Sequence, residues 1–167
     1  LAGEWGLPLV THERYVFARP GEEDVAHVAG NLRAADREEG YAHLGHRRAL
    51  DALRLSVAAS DDVVCAYSAW GEPVALVGVA TLSALYGIGC PWMVATDRVE
   101  AYRRAFIECG RLYTAAMLER YESLANHVDA RNTRSIAWLK RIGFELGPAE
   151  PYGALGLPFH PFRIGRT

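Results

Sequence analysis

His127 and Asp129 stand two residues apart in Leu124-Ala-Asn-His-Val-Asp129. An imidazole and a carboxylate are the groups that accept protons near neutral pH, so either is a candidate general base. Asn132 and Ser135 follow three residues apart. The Asn132 side chain suits the position before a helix, where its oxygen can accept from a free backbone N–H of the first turn. Further upstream, Arg103 and Arg104 present guanidinium forks able to hold phosphate oxygens, each charge-assisted hydrogen bond being worth about 1.5–3 kcal/mol. The same two arginines on an exposed helix face are ordinary solvated charges, and Asp97 and Glu100 set carboxylates beside them. His43 and His46 fall in an interhelical loop without the further ligands that a metal site needs. Asp36, Arg37, Glu38 and Glu39 read as a solvated helix end. Cys65, Cys90 and Cys109 are odd in number, widely spaced and embedded in apolar segments, which predicts buried free thiols in a reducing compartment.

The elements that position these groups follow from periodicity. Residues 124–129 alternate as a strand does. Ile136, Leu139 and Ile142 mark one face of a helix opening at Thr133, and Gly143 sits where a helix C-terminal glycine belongs. That helix is too short to stand alone in water, so it must dock on the sheet that holds the preceding strand. Upstream, Arg14–Arg19 reads as a strand. A helix follows from Glu22 to about Glu39, ended by Gly40, and a second runs from about Arg47 to Ala58. Val63–Ala69 and Val74–Leu82 flank the turn residues Gly71-Glu-Pro73 and form an antiparallel hairpin. Cys90–Thr96 is a further strand, with Pro91 at its beginning. Val99–Tyr121 is helical, with Phe106, Cys109, Leu112, Tyr113, Ala116 and Met117 as its apolar stripe, and Gly110 inside it implies a close backbone approach. The tail ends in a strand at Phe159–Ile164 with a proline at an edge. Trp70, Trp92 and Trp138 read as core or cleft aromatics, whereas Trp5 has no evident home within the chain and suits a partner surface.

A chain of 167 residues, 50% hydrophobic and 23% charged, is sized for one domain. We divide it into a lead-in arm, 1–13, and a domain, 14–167. A net charge of −2 argues against a nucleic-acid or membrane partner. No apolar run approaches a membrane span, and no secretory leader precedes the first strand.

Asn132-Thr-Arg-Ser135-Ile-Ala-Trp-Leu139-Lys-Arg-Ile-Gly143-Phe144 resembles the last block of the GNAT acyl-CoA N-acyltransferases, Asn-x-x-Ala/Ser-(x)3-Tyr-(x)3-Gly-Phe. Asn132, Ser135, Gly143 and Phe144 match it, and Leu139 stands where the family has its tyrosine acid. The order of elements along nearly the whole chain is similar too. The resemblance implies an α/β (α+β) fold, GNAT-like, with a mixed, mostly antiparallel central sheet flanked by helices. It places Val94, Ala95 and Thr96 on a splayed strand that pairs with pantetheine, and Arg103, Arg104, Asn132 and Ser135 around the rest of an acyl-CoA. The family's phosphate loop, Arg/Gln-x-x-Gly-x-Gly/Ala, falls within Thr96–Ala105, which has no glycine.

A narrower resemblance is carried by Asn31-Leu-Arg-Ala-Ala-Asp36-Arg-Glu38, Cys90-Pro91-Trp92, Ala95-Thr96-Asp97, Phe106, Asn126–Asn132 and Ser135–Lys140. These blocks are similar to acetyltransferase-like proteins of tailed phages related to internal virion (core) protein A. The implied protein is a virion-associated structural or accessory one with a degenerate acyl-CoA site and no required cofactor. It would be made in the bacterial cytoplasm and partnered by other virion proteins or copies of itself. The alternative is an active N-acetyltransferase, cytoplasmic, that takes acetyl-CoA and an amine.

Overall fold

The computed structural model describes residues 5–45 and 48–165. Strands β1 (Tyr15–Ala18), β2 (Asp62–Ser68), β3 (Pro73–Ser83) and β4 (Ile88–Ala95) pair in that order, antiparallel throughout. Strand β5 (Ser123–Asp129) follows as β4's parallel neighbour, and β8 (Leu157–Gly165) lies antiparallel beyond it. The short β6 (Glu145–Leu146) and β7 (Glu150–Tyr152) both pair with the outer side of β8. Helices α1 (Glu22–Gly30) and α3 (Ala49–Ala59) pack one face of the sheet around Val28, Leu53, Cys65 and Leu76. Helices α4 (Arg103–Arg120) and α5 (Thr133–Ile142) cover the other around Phe17, Phe106, Tyr113, Leu124 and Leu139. Between α1 and α3 runs α2 (Ala34–Leu44). The expected mixed, mostly antiparallel sheet with flanking helices is the architecture observed.

The feature that makes a site is the join of β4 and β5. Only Ile88 with Ser123 and Gly89 with Leu124 stay in register, and beyond them the strands part. The β3–β4 register fixes which groups face the gap. Thr96 N–H donates to Val74 C=O, making Ala75–Ala95 a non-hydrogen-bonded pair, and pairs alternate along the ladder. The backbone groups of Pro91, Met93 and Ala95 therefore point away from β3, toward the splay. Pro91 is tolerated in mid-strand because the N–H it lacks would face that gap, not a ladder partner.

The α5 unit forms as its sequence dictates: Asn132 Oδ1 accepts from Ser135 N–H at 3.3 Å, and Gly143 closes the helix at φ 111°. Elsewhere the sheet overrides local pattern. The helix expected from Glu22 to about Glu39 is two helices, because Leu32 leaves helical geometry to bridge Thr96 and Arg33 N–H donates to Ala95 C=O. Gly40 lies inside α2, which ends at Gly45 instead, and His43 belongs to its last turn. His46 and Arg47, and the start of the lead-in arm at 1–4, lie outside the described residues. The strand expected at Cys90–Thr96 starts earlier, at Ile88, and a 3₁₀ helix, Asp97–Tyr102, precedes α4. Leu112, placed in the buried stripe of α4, is 41% exposed. Proline 161 sits in a central strand, opposite the gap between β6 and β7, where Gly147 N–H donates to its carbonyl.

Two tryptophans also depart from expectation. Trp5 packs edge-on against Tyr121 at 6.2 Å under the Arg120 guanidinium at 5.0 Å, so it has a home within the chain. The arm behind it docks too: Leu7 is buried, its N–H donates to Asp62 Oδ2, and Pro8 C=O accepts from Tyr113 Oη. Trp70, at the β2–β3 turn, is 92% exposed and belongs to neither core nor cleft.

Candidate functional site

A cavity of about 780 Å³ passes through the splay. Leu53, Ser56 and Trp92 line it on the α3 side, and Phe106, Met117 and Ile142 on the α4–α5 side. Trp92 is held by a 2.8 Å hydrogen bond from Nε1 to Ser60 Oγ, and Trp138, also at the wall, donates to Phe106 C=O at 3.2 Å. This volume lies within the range of small-molecule sites.

Where the strands part, Asn126 spans the opening. Its Nδ2 donates to Pro91 C=O at 2.8 Å, and its Oδ1 accepts from His127 N–H at 2.8 Å. At the far end of β4 the edge is taken by α2. Ala95 C=O accepts from Arg33 N–H at 2.9 Å, and Ala95 N–H donates to Asp36 Oδ2 at 2.9 Å. Asp36 is buried and clamped by Arg33 through two bonds of 3.0 and 2.7 Å, so it is no solvated helix end. That leaves the N–H and C=O of Met93 as the pair of β4 groups facing the splay between two occupied positions.

Around this point the structure brings together His127, Asn132, Ser135 and Val94 of the expected set, with Glu39, His43 and Tyr152, which sequence reasoning left out of it. Glu39 Oε2 accepts from Asn132 Nδ2 at 2.9 Å. Burial pushes its pKa up to about 7; the Asn132 bond works against that, and the carboxylates of Asp36 and Asp129 add to it. Helical spacing was the signal available for Glu39: it falls on one face with Asp36 and Ala42, both buried. His127 stacks on Tyr152 at 3.8 Å and meets Glu150 Oε1 at 3.3 Å. Tyr152 comes from the Gly- and Pro-rich tail, where no periodicity announces a strand.

Other expected residues stand elsewhere. Asp129 does not line the cavity. Burial alone would raise its pKa, yet hydrogen bonds from Arg131, at 2.6–3.2 Å on both oxygens, hold it below the usual carboxylate range. It is a turn clamp, not a free base. Ala95 and Thr96 are buried beside the cavity without lining it, and the Thr96 hydroxyl has no hydrogen-bond partner among the described residues. Arg103 and Arg104 are exposed, opposite Glu100 at 3.9 Å and Glu108 at 3.3 Å. Burial pushes all three thiols up, Cys65 to about 12, so none is a ready thiolate.

The fit to an acyl-CoA can be tested on these groups. Holding a diphosphate needs backbone N–H groups open to it, with no side chain in the way. Here the 3₁₀ helix fills the position before α4, and none of residues 95–105 lines the cavity. With the family's loop pattern laid from Arg98, Ala101 and Arg103 replace its two glycines. Glu100 is fixed there by Arg134 at 2.6 Å. The residues present do not fit the diphosphate. The cavity wall is mainly apolar, and Met93 and Glu39 both line it.

No protein-family model matches the chain, and no curated protein matches it. Solved structures do. An acetyltransferase from Agrobacterium tumefaciens superposes with a TM-score of 0.70 at 15% identity, covering 96% of this chain and 95% of that one. A GNAT-family acetyltransferase from Bacillus anthracis gives 0.70 at 11% identity, covering 95% and 98%. Spermidine N-acetyltransferase from Vibrio cholerae, in complex with CoA and spermine, gives 0.69 at 10% identity, covering 92% and 96%. At such identities the likeness establishes the GNAT fold.

Proposed function

We propose that this GNAT-fold chain is an accessory protein of a tailed-phage particle, in which the acyl-CoA cleft persists as architecture and does not catalyse transfer. The observation that carries the loss of catalysis is the occupied edge of β4: both backbone groups of Ala95 are bonded to Arg33 and Asp36. The glycine-free segment before α4 and Leu139 at the tyrosine position support the same reading. The virion role is supported by the phage-like sequence blocks, and its partners are other virion proteins or further copies of this chain. Titration calorimetry with acetyl-CoA is expected to give no saturable heat. Mass spectrometry of purified particles is expected to find the chain in multiple copies. Saturable acetyl-CoA binding overturns the first half of the proposal, and absence from particles overturns the second.

A second reading is favoured by one observation. Glu39, held near neutrality, lines the same cavity as Met93, which is a setting for taking the proton of an attacking amine. On that reading the chain is an N-acetyltransferase using acetyl-CoA, and the spermidine N-acetyltransferase among its structural neighbours makes a polyamine the first acceptor to try. Release of free CoA from acetyl-CoA and spermidine, abolished in Glu39→Gln, is its test.

A further inference from the structure

The turn between β7 and β8, Gly153–Gly156, reaches across the open end of the splay and binds the end of α2. Ala154 N–H donates to His43 C=O at 2.9 Å, and Leu155 N–H donates to Ala42 C=O at 3.1 Å. The approach is close enough that a side chain at Gly153 has no room: a Cβ there would lie 2.8 Å from Ala42 O and 2.8 Å from His43 Cα. Gly153 also adopts φ 76°, a conformation L residues avoid. Just before the turn, the Tyr152 ring lies between two imidazoles. It is 3.8 Å from His127 and nearly parallel to it at 7°, and 5.2 Å from His43 at 13°. His127 is on β5 and His43 on α2, so the ring bridges the two sides of the cleft. All three rings line the cavity.

We infer that this hairpin is an autoinhibitory clasp: it ties β8 to α2 across the cleft and seats Tyr152 as a plug in the slot between His43 and His127. The backbone bonds from Ala154 and Leu155 hold the clasp shut, and the stacked ring occupies the space a ligand would enter. A ligand reaches Met93 and Glu39 from this end only when the hairpin lifts. The inference concerns access to the cavity and does not depend on whether acyl-CoA is its occupant.

The probe is Nile red, uncharged and apolar, titrated by fluorescence against the whole chain. Tyr152→Ala is expected to bind it at least tenfold more tightly than the unaltered protein, and Tyr86→Ala, on the exposed β3–β4 turn, to bind it no differently. In native-state hydrogen exchange the Ala154 and Leu155 amides are expected to be protected in the unaltered protein. Gly153→Val is expected to speed both at least tenfold while leaving Val94, paired with Leu76 in the sheet, unchanged. Equal Nile red affinity in Tyr152→Ala and the unaltered protein overturns the plug. Unprotected Ala154 and Leu155 amides in the unaltered protein overturn the clasp, and that measurement needs no variant to fold.

Discussion

Glu39 keeps its proton to a higher pH in the fold than in the unfolded chain, where it ionises near 4.5; in the fold it does so near 7. Between those values the unfolded chain releases a proton that the folded one retains, so the stability Glu39 contributes is full below about 4.5 and falls as pH rises to about 7. The loss amounts to roughly 3 kcal/mol above neutrality. Glu39→Gln keeps the acceptor for Asn132 and removes the charge. Urea unfolding should therefore show the variant more stable by on the order of 3 kcal/mol near pH 8 and equal to the parent near pH 4. A difference independent of pH would refute the assignment. His43 works in the opposite sense: burial and the nearness of His127 lower its pKa, so its contribution is lost as pH falls below about 6.5. Because both proteins carry His43, its effect cancels in the comparison. Asn132 was legible in the sequence as a cap, since its partner Ser135 is three residues away. Glu39 was not, because the amide that meets it lies 93 residues along the chain.

The same contrast between near and distant causes governs the elements. The α5 helix, with Asn132 before it and Gly143 after it, carries its boundaries in its own residues. The break between α1 and α2 does not: Val25, Val28, Ala29, Leu32 and Ala35 keep helical spacing straight through it. What interrupts the helix is the end of β4, which draws in Leu32 and Arg33. The break delivers Asp36 to its buried pairing with Arg33 and Ala95. Asp36→Ala leaves that guanidinium buried without its partner, and equilibrium unfolding should register a loss of about 3–5 kcal/mol. A loss below about 1 kcal/mol, the scale of a surface ion pair, would place the carboxylate in solvent. In α4 the competing effects can be weighed in advance. Gly110→Ala gains about 1 kcal/mol of helix propensity. The new Cβ would lie 2.7 Å from Trp138 Cζ2 and 2.9 Å from Ile142 Cγ2, and overpacking of that kind costs about 1–3 kcal/mol. We expect net destabilisation, read as a lower unfolding midpoint. A raised midpoint would mean that α5 packs less closely on α4 than described.

At the scale of the whole molecule, the order of strands and helices was readable because each element is short and bounded by turn residues. The cleft was not. It exists because two strands with ordinary sequences diverge after two paired residues, and because a tail without clear periodicity returns over the gap. The proposed loss of acyl-CoA binding then has two separable causes: a phosphate segment without glycine, and a β4 edge already bonded at Ala95. Ala101→Gly with Arg103→Gly restores the first and leaves the second. Both positions are exposed, Ala101 in the 3₁₀ helix and Arg103 at the first residue of α4, so the double change should cost no more than about 2 kcal/mol in stability. Calorimetry with acetyl-CoA should still show no saturable heat, because the hydrogen bonds that pantetheine would make at Ala95 remain taken by Arg33 and Asp36. Neither side chain can be removed singly without leaving the other's charge buried and unpaired, and the Arg33 bond to Ala95 comes from its backbone N–H, so the edge is closed by the same contacts that hold α2 to the sheet. If the unaltered protein gives no heat and the double variant binds acetyl-CoA with a measurable one, the Ala95 edge yields to a ligand, and the absent glycines alone account for the difference.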